Sequence, residues 1–552
     1  MKGTLLELIE PRGFLEDRKT AFVFWDGERW PWYLGKLSYR GLRNKARRIA
    51  WSLTNELTLK PGERLAVMLP NMPQFPVAYF GAFMAGLIVV PINPRYAETP
   101  AEILKILKDS GAEAIVVLDR FLPALEVIKK DTELRHIIVT TPADSLPLVK
   151  KLVYWIKTLW RGKYFYYPYK ERPEIESYAA LAATGFGKKF KRDTYPTDIA
   201  LIIYTSGTTG APKGVEMTHE ALLENAAACK AYLFEMGLKS GEEIFLAAVP
   251  YFHILGIAAL LNTALLVRAK TVLIPDPRKI PKILDAIDFT KTTAFAGMPG
   301  HYEVMAKLLA AGAKRRYLSS VKLWINGGAK LHKIHREKFE KLVGKKIRNG
   351  YGMTELGIVS CQKLGDEDED SVGEPFSKVE TAILNPDSEG KGELLVKSSG
   401  MMRGYWQQDL LTSEFMAARF FRTGDFAQFS SLGRSFTILL RGRKKYLIKT
   451  RTGENVDPME IEKILMVHPS VVEAAVVGVA DEKHGERIRA CIVLRDPDGS
   501  CQEIFKKNIK KHCGDHLASF KVPDEIVCVR EIEKNAAGKV LYEKLKELKA
   551  SS

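Results

Sequence analysis

Short runs of β-branched and aliphatic residues alternate along the chain with stretches whose apolar positions recur at helical spacing. AIVVL near residue 114, HIIVT near 136, IALIIY at 199–204 and TVLIP at 271 are strand-length and apolar throughout, the pattern of parallel strands buried on both faces between helices. The longest apolar stretch, Val77 to Val90, ends in PINP and falls short of the roughly 20 residues that span a bilayer. It predicts a buried helix running into a strand. After about residue 372 the texture changes to strand-length runs separated by glycine (SVGEPFSKVETAIL, GKGELLVKSSG, FRTGDFAQFS), which predicts a β-rich subdomain. From Arg443 onward VEAAVVGVAD, IRACIVLRD and EIVCVREI alternate with lysine-rich helical stretches. The fold class expected is α/β: a large N-terminal domain of packed α/β subdomains plus a β-rich subdomain over 1–441, and a small α+β C-terminal domain over 442–552. No internal repeat is evident.

The length of 552 residues leaves room for about three or four domains, or for one large domain with a smaller partner. A composition 46% hydrophobic and 27% charged supports a substantial core and excludes wholesale disorder. The charge of +17 favours anionic partners without choosing among nucleotides, nucleic acid and acidic membrane. Residues 145–193 hold eleven Lys/Arg against four Asp/Glu, +7 of that total. Their tryptophans and tyrosines interleave with the basic residues, as in an interfacial element on a lipid surface; an insertion packed on its own protein is the alternative, and nucleic acid is not expected. The six cysteines contain no C-x-x-C pair, so neither a zinc site nor a disulfide framework can be read from them. That usage fits a cytoplasmic location, at most peripheral to the inner face of the membrane. The N-terminal apolar run is broken at Glu7 and Glu10, against a signal peptide.

The densest chemical signal is Tyr204-Thr-Ser-Gly-Thr-Thr-Gly-Ala-Pro-Lys-Gly-Val, after the apolar strand IALII and before the helical ALLENAAACKAYL. Thr205, Ser206, Gly207, Thr208, Thr209 and Gly210, read as a strand-to-helix turn, expose hydroxyls and backbone N–H groups suited to an oligophosphate, and Lys213 adds a point charge. It is not a Walker A loop, because Pro212 precedes the lysine and no Ser/Thr follows it.

This run resembles the phosphate loop of the acyl-adenylating superfamily, which includes acyl-CoA synthetases, firefly luciferase and the adenylation domains of peptide synthetases. Further motifs stand in that family's order: PYFHILG at 250–256, NGG at 326–328, NGYGMTE at 349–355, RTGD at 422–425, GRKKYLIK at 442–449 and NAAGK at 535–539. The resemblance implies two half-reactions. A carboxylate attacks the α-phosphorus of ATP to give acyl-AMP and pyrophosphate, and a thiol, here CoA, then displaces AMP. It further implies that Thr205 and Glu355 coordinate Mg²⁺, a cation that prefers hard oxygen ligands. Asp425 would accept from the ribose hydroxyls, while Gly328, Asn349, Gly350, Tyr351, Gly352 and Thr354 hold adenine and α-phosphate. Lys539 would reach the α-phosphate during adenylation, Arg443 and Lys445 belong to the hinge on which the C-terminal domain moves, and Lys449 is nucleotide-facing in some relatives. His253 matches a histidine near the acyl site, read as a positioning residue because a fatty carboxylate is already ionised at neutral pH.

Two cues bear on the acid. TRTGENVDPMEIE from Thr450 looks like the TGENV-x-P pattern of long-chain fatty acid–CoA ligases, and the basic aromatic insertion at 145–193 suits a substrate that partitions into membrane. AFAGMPGHYE from Ala294 lacks an acidic residue before Glu303, against an amino-acid substrate. The expected reaction is ATP-dependent conversion of a long-chain fatty acid to its CoA thioester. An acyl carrier protein as acceptor, an inactive lipid-binding relative and a homodimer stay open.

Overall fold

A computed structural model describes residues 3–25, 35–160, 174–190, 192–205, 213–313, 318–432, 435–443, 446, 448–449, 455–481, 485–495, 503–534 and 540–548. Two large sheets organise the N-terminal part. In the first, the strands Arg64–Met68, Ile88–Pro91, Ala114–Leu118, His136–Thr140 and Ile199–Thr205 run parallel. In the second, Ala294–Gly297, Leu323–Asn326 and Ile347–Met353 run parallel beside Ile244–Ala247 and Lys270–Leu273.

Side chains alternate across a strand, and here the two faces feed different cores. Leu65 and Val67 join an apolar cluster shared with Phe245 and Ala247 of the other sheet. Ala66 and Met68 face a second cluster, and Leu246 and Phe295 a third. One core thus lies between the sheets and one on each outer face, which is why these strands read as unbroken apolar runs. The helix Gln74–Met84 is buried over Gln74–Phe83 and leads into Ile88–Pro91, as the Val77–Val90 pattern predicts. A Cβ on its Gly81 would lie 2.9 Å from Cγ2 of Ile49, so glycine lets the helix Tyr39–Asn55 pack against it.

The β-rich unit is an antiparallel meander through Val379–Leu384, Gly392–Ser398, Phe420–Leu432 and Ser435–Arg443. Beyond it, the hairpin of Val471–Asp481 and Gly485–Leu494 takes Glu525–Cys528 as a parallel neighbour. With the helix Pro458–Val467 it encloses a core of its own. The architecture is therefore α/β with a small C-terminal α+β unit.

One expectation is corrected. The phosphate-loop motif does not connect a strand to a helix: Lys213–Thr218 is itself a strand, antiparallel to Ile199–Thr205, with Thr205 opposite Lys213. Gly214, Val215, Met217 and Thr218 are buried while Lys213 and Glu216 are half-buried, and the helix His219–Glu235 begins only after this strand. The strands on either side of the motif form a hairpin, and among the described residues no helix N-terminus adjoins it. Cys229, Cys361, Cys491 and Cys513 are buried free thiols, whereas Cys528 is disulfide-bonded. Spacing carried no sign of that bond. Among the described residues no helix is long and apolar enough to cross a membrane.

Candidate functional site

A cleft of about 1820 Å³ opens between the N-terminal body and the C-terminal unit, and three kinds of wall meet in it. The first is polar and cationic. Thr205 and Lys213, paired across the hairpin, line it together with Glu355 and Tyr405. Glu355 is buried and accepts a hydrogen bond from the Tyr405 hydroxyl at 3.0 Å. Lys213 Nζ lies 5.4 Å from the Tyr405 ring centroid and 4.8 Å from that of Phe415, a distance at which aromatic faces attract a cation. Burial and the neighbouring carboxylate of Glu355 both push the Tyr405 phenol above its ordinary pKa. Glu355 reaches this position because Ile347–Met353 turns back through Thr354–Leu356 into Gly357–Cys361. Gly357 has φ of +69°, and a Cβ on Gly352 would meet the Gly357 carbonyl at 2.3 Å. Both glycines are required by the tight turn.

The second wall carries Gly328, Gly350, Tyr351, Gly352, Thr354, Gly424 and Arg443. Tyr351 donates its hydroxyl to Oδ2 of Asp425 at 2.6 Å, and Arg443 donates Nε to Oδ1 at 2.7 Å. Asp425 is buried, and its backbone N–H donates to Thr423 Oγ1. The carboxylate raises the pKa of Arg443, while burial and the same charge hold the Tyr351 phenol protonated. Asn349 lies behind this wall. Its backbone N–H donates to Gln362 and its amide nitrogen to the Glu369 carbonyl, while its Oδ1 accepts from Asn326. Asn349 thus braces the strand that carries Tyr351.

The third wall is apolar. The segment Gly256–Asn262 is π-helical, an uncommon conformation frequent at functional sites. A Cβ on Gly256 would lie 2.0 Å from the Pro250 carbonyl oxygen, so glycine allows the turn into this helix. Ala259, Leu260 and Thr263 line the cleft together with Cys229, Tyr232 and Leu233 of the helix His219–Glu235. His253 also lines the cleft, its ring 4.7 Å from that of Phe252.

The C-terminal unit covers the cleft through Asp457, Glu462, Lys534 and Tyr542. The ring of Tyr542 lies 4.6 Å from that of Tyr446. Glu462 is buried, and desolvation reinforced by the charge of Asp457 pushes its carboxyl up to about 7. Asp370 joins the two units: its carboxylate takes Lys330 at 2.6 Å, Arg441 at 3.0 Å and Lys463 of the helix Pro458–Val467 at 2.5 Å.

Ser206, Gly207, Thr208, Thr209, Gly210, Lys445 and Lys539 lie outside the described residues. Lys449 pairs through its backbone with Asn455. Sequence reasoning missed Tyr405, Lys330, Asp370 and Tyr542. Asp370 is hidden in the acidic run GDEDEDS, which looks like a solvated face, and Tyr405 has no local signal besides the strand pair Gly404–Tyr405 that it shares with the phosphate hairpin.

Comparison with known proteins identifies the family. The model of the AMP-binding enzyme family matches residues 16–406, and that of the AMP-binding enzyme C-terminal domain matches 460–539. The chain belongs to this family of AMP-binding enzymes. It is 32% identical over 526 residues to the long-chain-fatty-acid–CoA ligase of Escherichia coli O157:H7, covering 93% of this chain and 90% of that protein. To the long-chain-fatty-acid–CoA ligase of Bacillus subtilis strain 168 it is 32% identical over 546 residues, covering 96% and 91%. Among solved structures, ATP-bound MatB from Rhodopseudomonas palustris superposes with a TM-score of 0.82 at 24% identity, covering 99% of both chains. A Mycobacterium tuberculosis fatty acyl CoA synthetase gives 0.70 at 23% identity, covering 99% and 98%.

Proposed function

We propose that this chain converts a long-chain fatty acid to its CoA thioester through an acyl-AMP intermediate, consuming ATP and releasing AMP and pyrophosphate. One observation carries the reading: Thr205, Lys213 and Glu355 line the same cleft as the apolar Ala259, Leu260 and Cys229. A carboxylate head beside the first group and an aliphatic tail along the second use both walls at once.

Phosphoryl chemistry needs positioning and charge neutralisation more than covalent help. Lys213 and the loop 206–210 would hold the β- and γ-phosphates, and Lys539 the α-phosphate beside the attacking carboxylate. Thr205 and Glu355 supply hard oxygen donors on the same wall, a set that fits Mg²⁺ with phosphate oxygens and water completing its shell. Bound there, the cation would neutralise phosphate charge. Asp425 would accept from the ribose hydroxyls, Tyr351 would offer adenine an aromatic face, and Gly328 with Gly350, Gly352 and Thr354 would allow close backbone approach. His253 would position the acid against the apolar wall. Thiolysis requires access for CoA, so the unit over 442–552 would move on the segment at Arg443 and Lys445; Lys449 lies next to that segment. Peripheral contact with a membrane through residues 145–193 suits an acid that partitions into lipid.

The test is pyrophosphate release with acids from two to eighteen carbons, with CoA or acyl carrier protein added in turn. Release that rises with chain length, and AMP that accumulates only with CoA, is the expected result. Preference for short or aromatic acids would overturn the substrate, and thioester formation on carrier protein alone would overturn the acceptor.

A further inference from the structure

The π-helical segment Gly256–Asn262 ends at Thr263, where the chain returns to α geometry through Thr263–Leu266. A π turn closes its hydrogen bonds five residues back instead of four, and it is rare. Thr263 secures this one twice over. Its backbone N–H donates to the Ala258 carbonyl, five residues back, and its hydroxyl donates to the same oxygen at 2.7 Å. A threonine inside an α-helix reaches the carbonyls three or four residues back, where its bond slightly destabilises the helix. Here the same hydroxyl reinforces the wide turn.

The neighbours of Thr263 fix the turn in place. Asn262 and Thr263 are both fully buried, and the Asn262 amide nitrogen donates to the Tyr79 hydroxyl of the helix Gln74–Met84 at 3.3 Å. The Cys229 thiol hydrogen-bonds the Thr263 side chain, which ties the turn to the helix His219–Glu235. Although buried, Thr263 lines the cleft beside Ala259 and Leu260. Rewinding the segment to α spacing would rotate the positions before the change by about 100°, the angle of one residue. Ala259 and Leu260 would then turn off the apolar wall.

We propose that Thr263 is a positioning residue for acyl-chain length, because it holds the wide turn that presents Ala259 and Leu260 to the acyl tail. The inference rests on the reading of the cleft as an acid-activating site, and it names what shapes the apolar wall.

The experiment measures pyrophosphate release by the full chain and by Thr263→Val, Thr263→Ala and Thr263→Ser, at saturating ATP and CoA, over acids from two to eighteen carbons. Valine and alanine both lack the hydroxyl but differ in volume. Both are expected to lower kcat/KM for the longest acid the wild type accepts, relative to the shortest, by roughly fivefold, the worth of one hydrogen bond. The KM for ATP should not move, and serine should restore the wild-type profile. Binding of a fluorescent polyene fatty acid, read without turnover at a temperature where all four proteins are folded, should show the same loss in valine and alanine alone.

If Thr263 only filled space, alanine would admit longer acids and valine would behave as wild type; either result would overturn the proposal. So would a serine variant as impaired as the valine one, or an equal loss on every acid. A wild-type preference for short acids would remove the long-chain reading alone, since the valine and alanine variants must still discriminate against the longest acids that the wild type uses.

Discussion

The hydroxyl of Tyr405 donates to Oε1 of Glu355 across 3.0 Å, and the Tyr405 ring lies 5.4 Å from the ammonium of Lys213. One aromatic side chain thus orients the candidate metal ligand and underlies the candidate phosphate lysine. Glu355→Gln keeps the hydrogen bond and loses the charge, so it is expected to raise the Mg²⁺ concentration needed for half-maximal adenylation while leaving acid binding unchanged. Tyr405→Phe keeps the ring and loses the bond, and a cost of about 1 kcal/mol, roughly fivefold, is expected. Magnesium titrations of pyrophosphate release check both.

Asp425→Asn leaves Arg443 without its anion and Tyr351 without its charged acceptor. Hydrogen bonds to charged groups contribute about 1.5–3 kcal/mol, so kcat/KM for ATP is expected to fall roughly tenfold to a hundredfold with the KM for acid little changed. Equal losses on both substrates would make Asp425 a brace for the wall and not a ribose acceptor.

Much of this site was legible because its residues sit in dense local motifs. The motif at 349–355 singles out Gly350, Gly352 and Glu355, and the apolar runs at 114, 136 and 199 announce buried strands. The order of strands and the meeting of the two sheets on one core were not legible, since both depend on contacts between distant segments. The phosphate hairpin was misread for a local reason. Its second strand, Lys213–Thr218, offers only Val215 and Met217 as apolar positions, and the stronger helical signal from Ala221 onward absorbed it. Tyr405 and Asp370 act across gaps of 50 and 93 residues, which no spacing rule spans.

Lys539→Ala is expected to reduce adenylate formation by about 10²–10³, the cost of one lost contact to developing negative charge. Thioester formation from supplied acyl-AMP should persist. Rapid-quench assays of each half-reaction decide it; equal loss in both would mean that Lys539 serves the two steps alike.

Ala259→Phe enlarges a side chain on the apolar wall of the cleft. Turnover of sixteen- and eighteen-carbon acids is expected to fall roughly fivefold to a hundredfold relative to hexanoate, because overpacking at a formed wall costs about 1–3 kcal/mol. A chain-length profile that did not move would place the acyl tail elsewhere.

Glu462 provides a pH test. Its carboxyl rises from the ordinary 4.5 to about 7 through burial, with the charge of Asp457 adding to it. Between these values the folded chain binds more protons than the unfolded chain, so stability falls as pH rises from about 4.5 to 7 and the deficit stays at higher pH. Glu462→Gln, which retains an acceptor for the Val476 N–H, is expected to flatten that decline. Melting temperatures at pH 5 and pH 8 give the comparison: the variant should gain over wild type at pH 8 and gain little at pH 5.

Asp370 is a single acid answering to three bases, two on the larger unit and one, Lys463, on the smaller. The proposed swing of the smaller unit would break the bond to Lys463 and leave Asp370 with Lys330 and Arg441 still in place. Lys463, by contrast, would exchange a carboxylate for water. Dissolved ions make that exchange easier, because screening shortens the reach of charge from about 10 Å at 0.1 M salt to 3 Å at 1 M. On the movement proposed above, the joint would act as an ionic clutch, with the salinity of the medium setting how firmly the smaller unit is engaged.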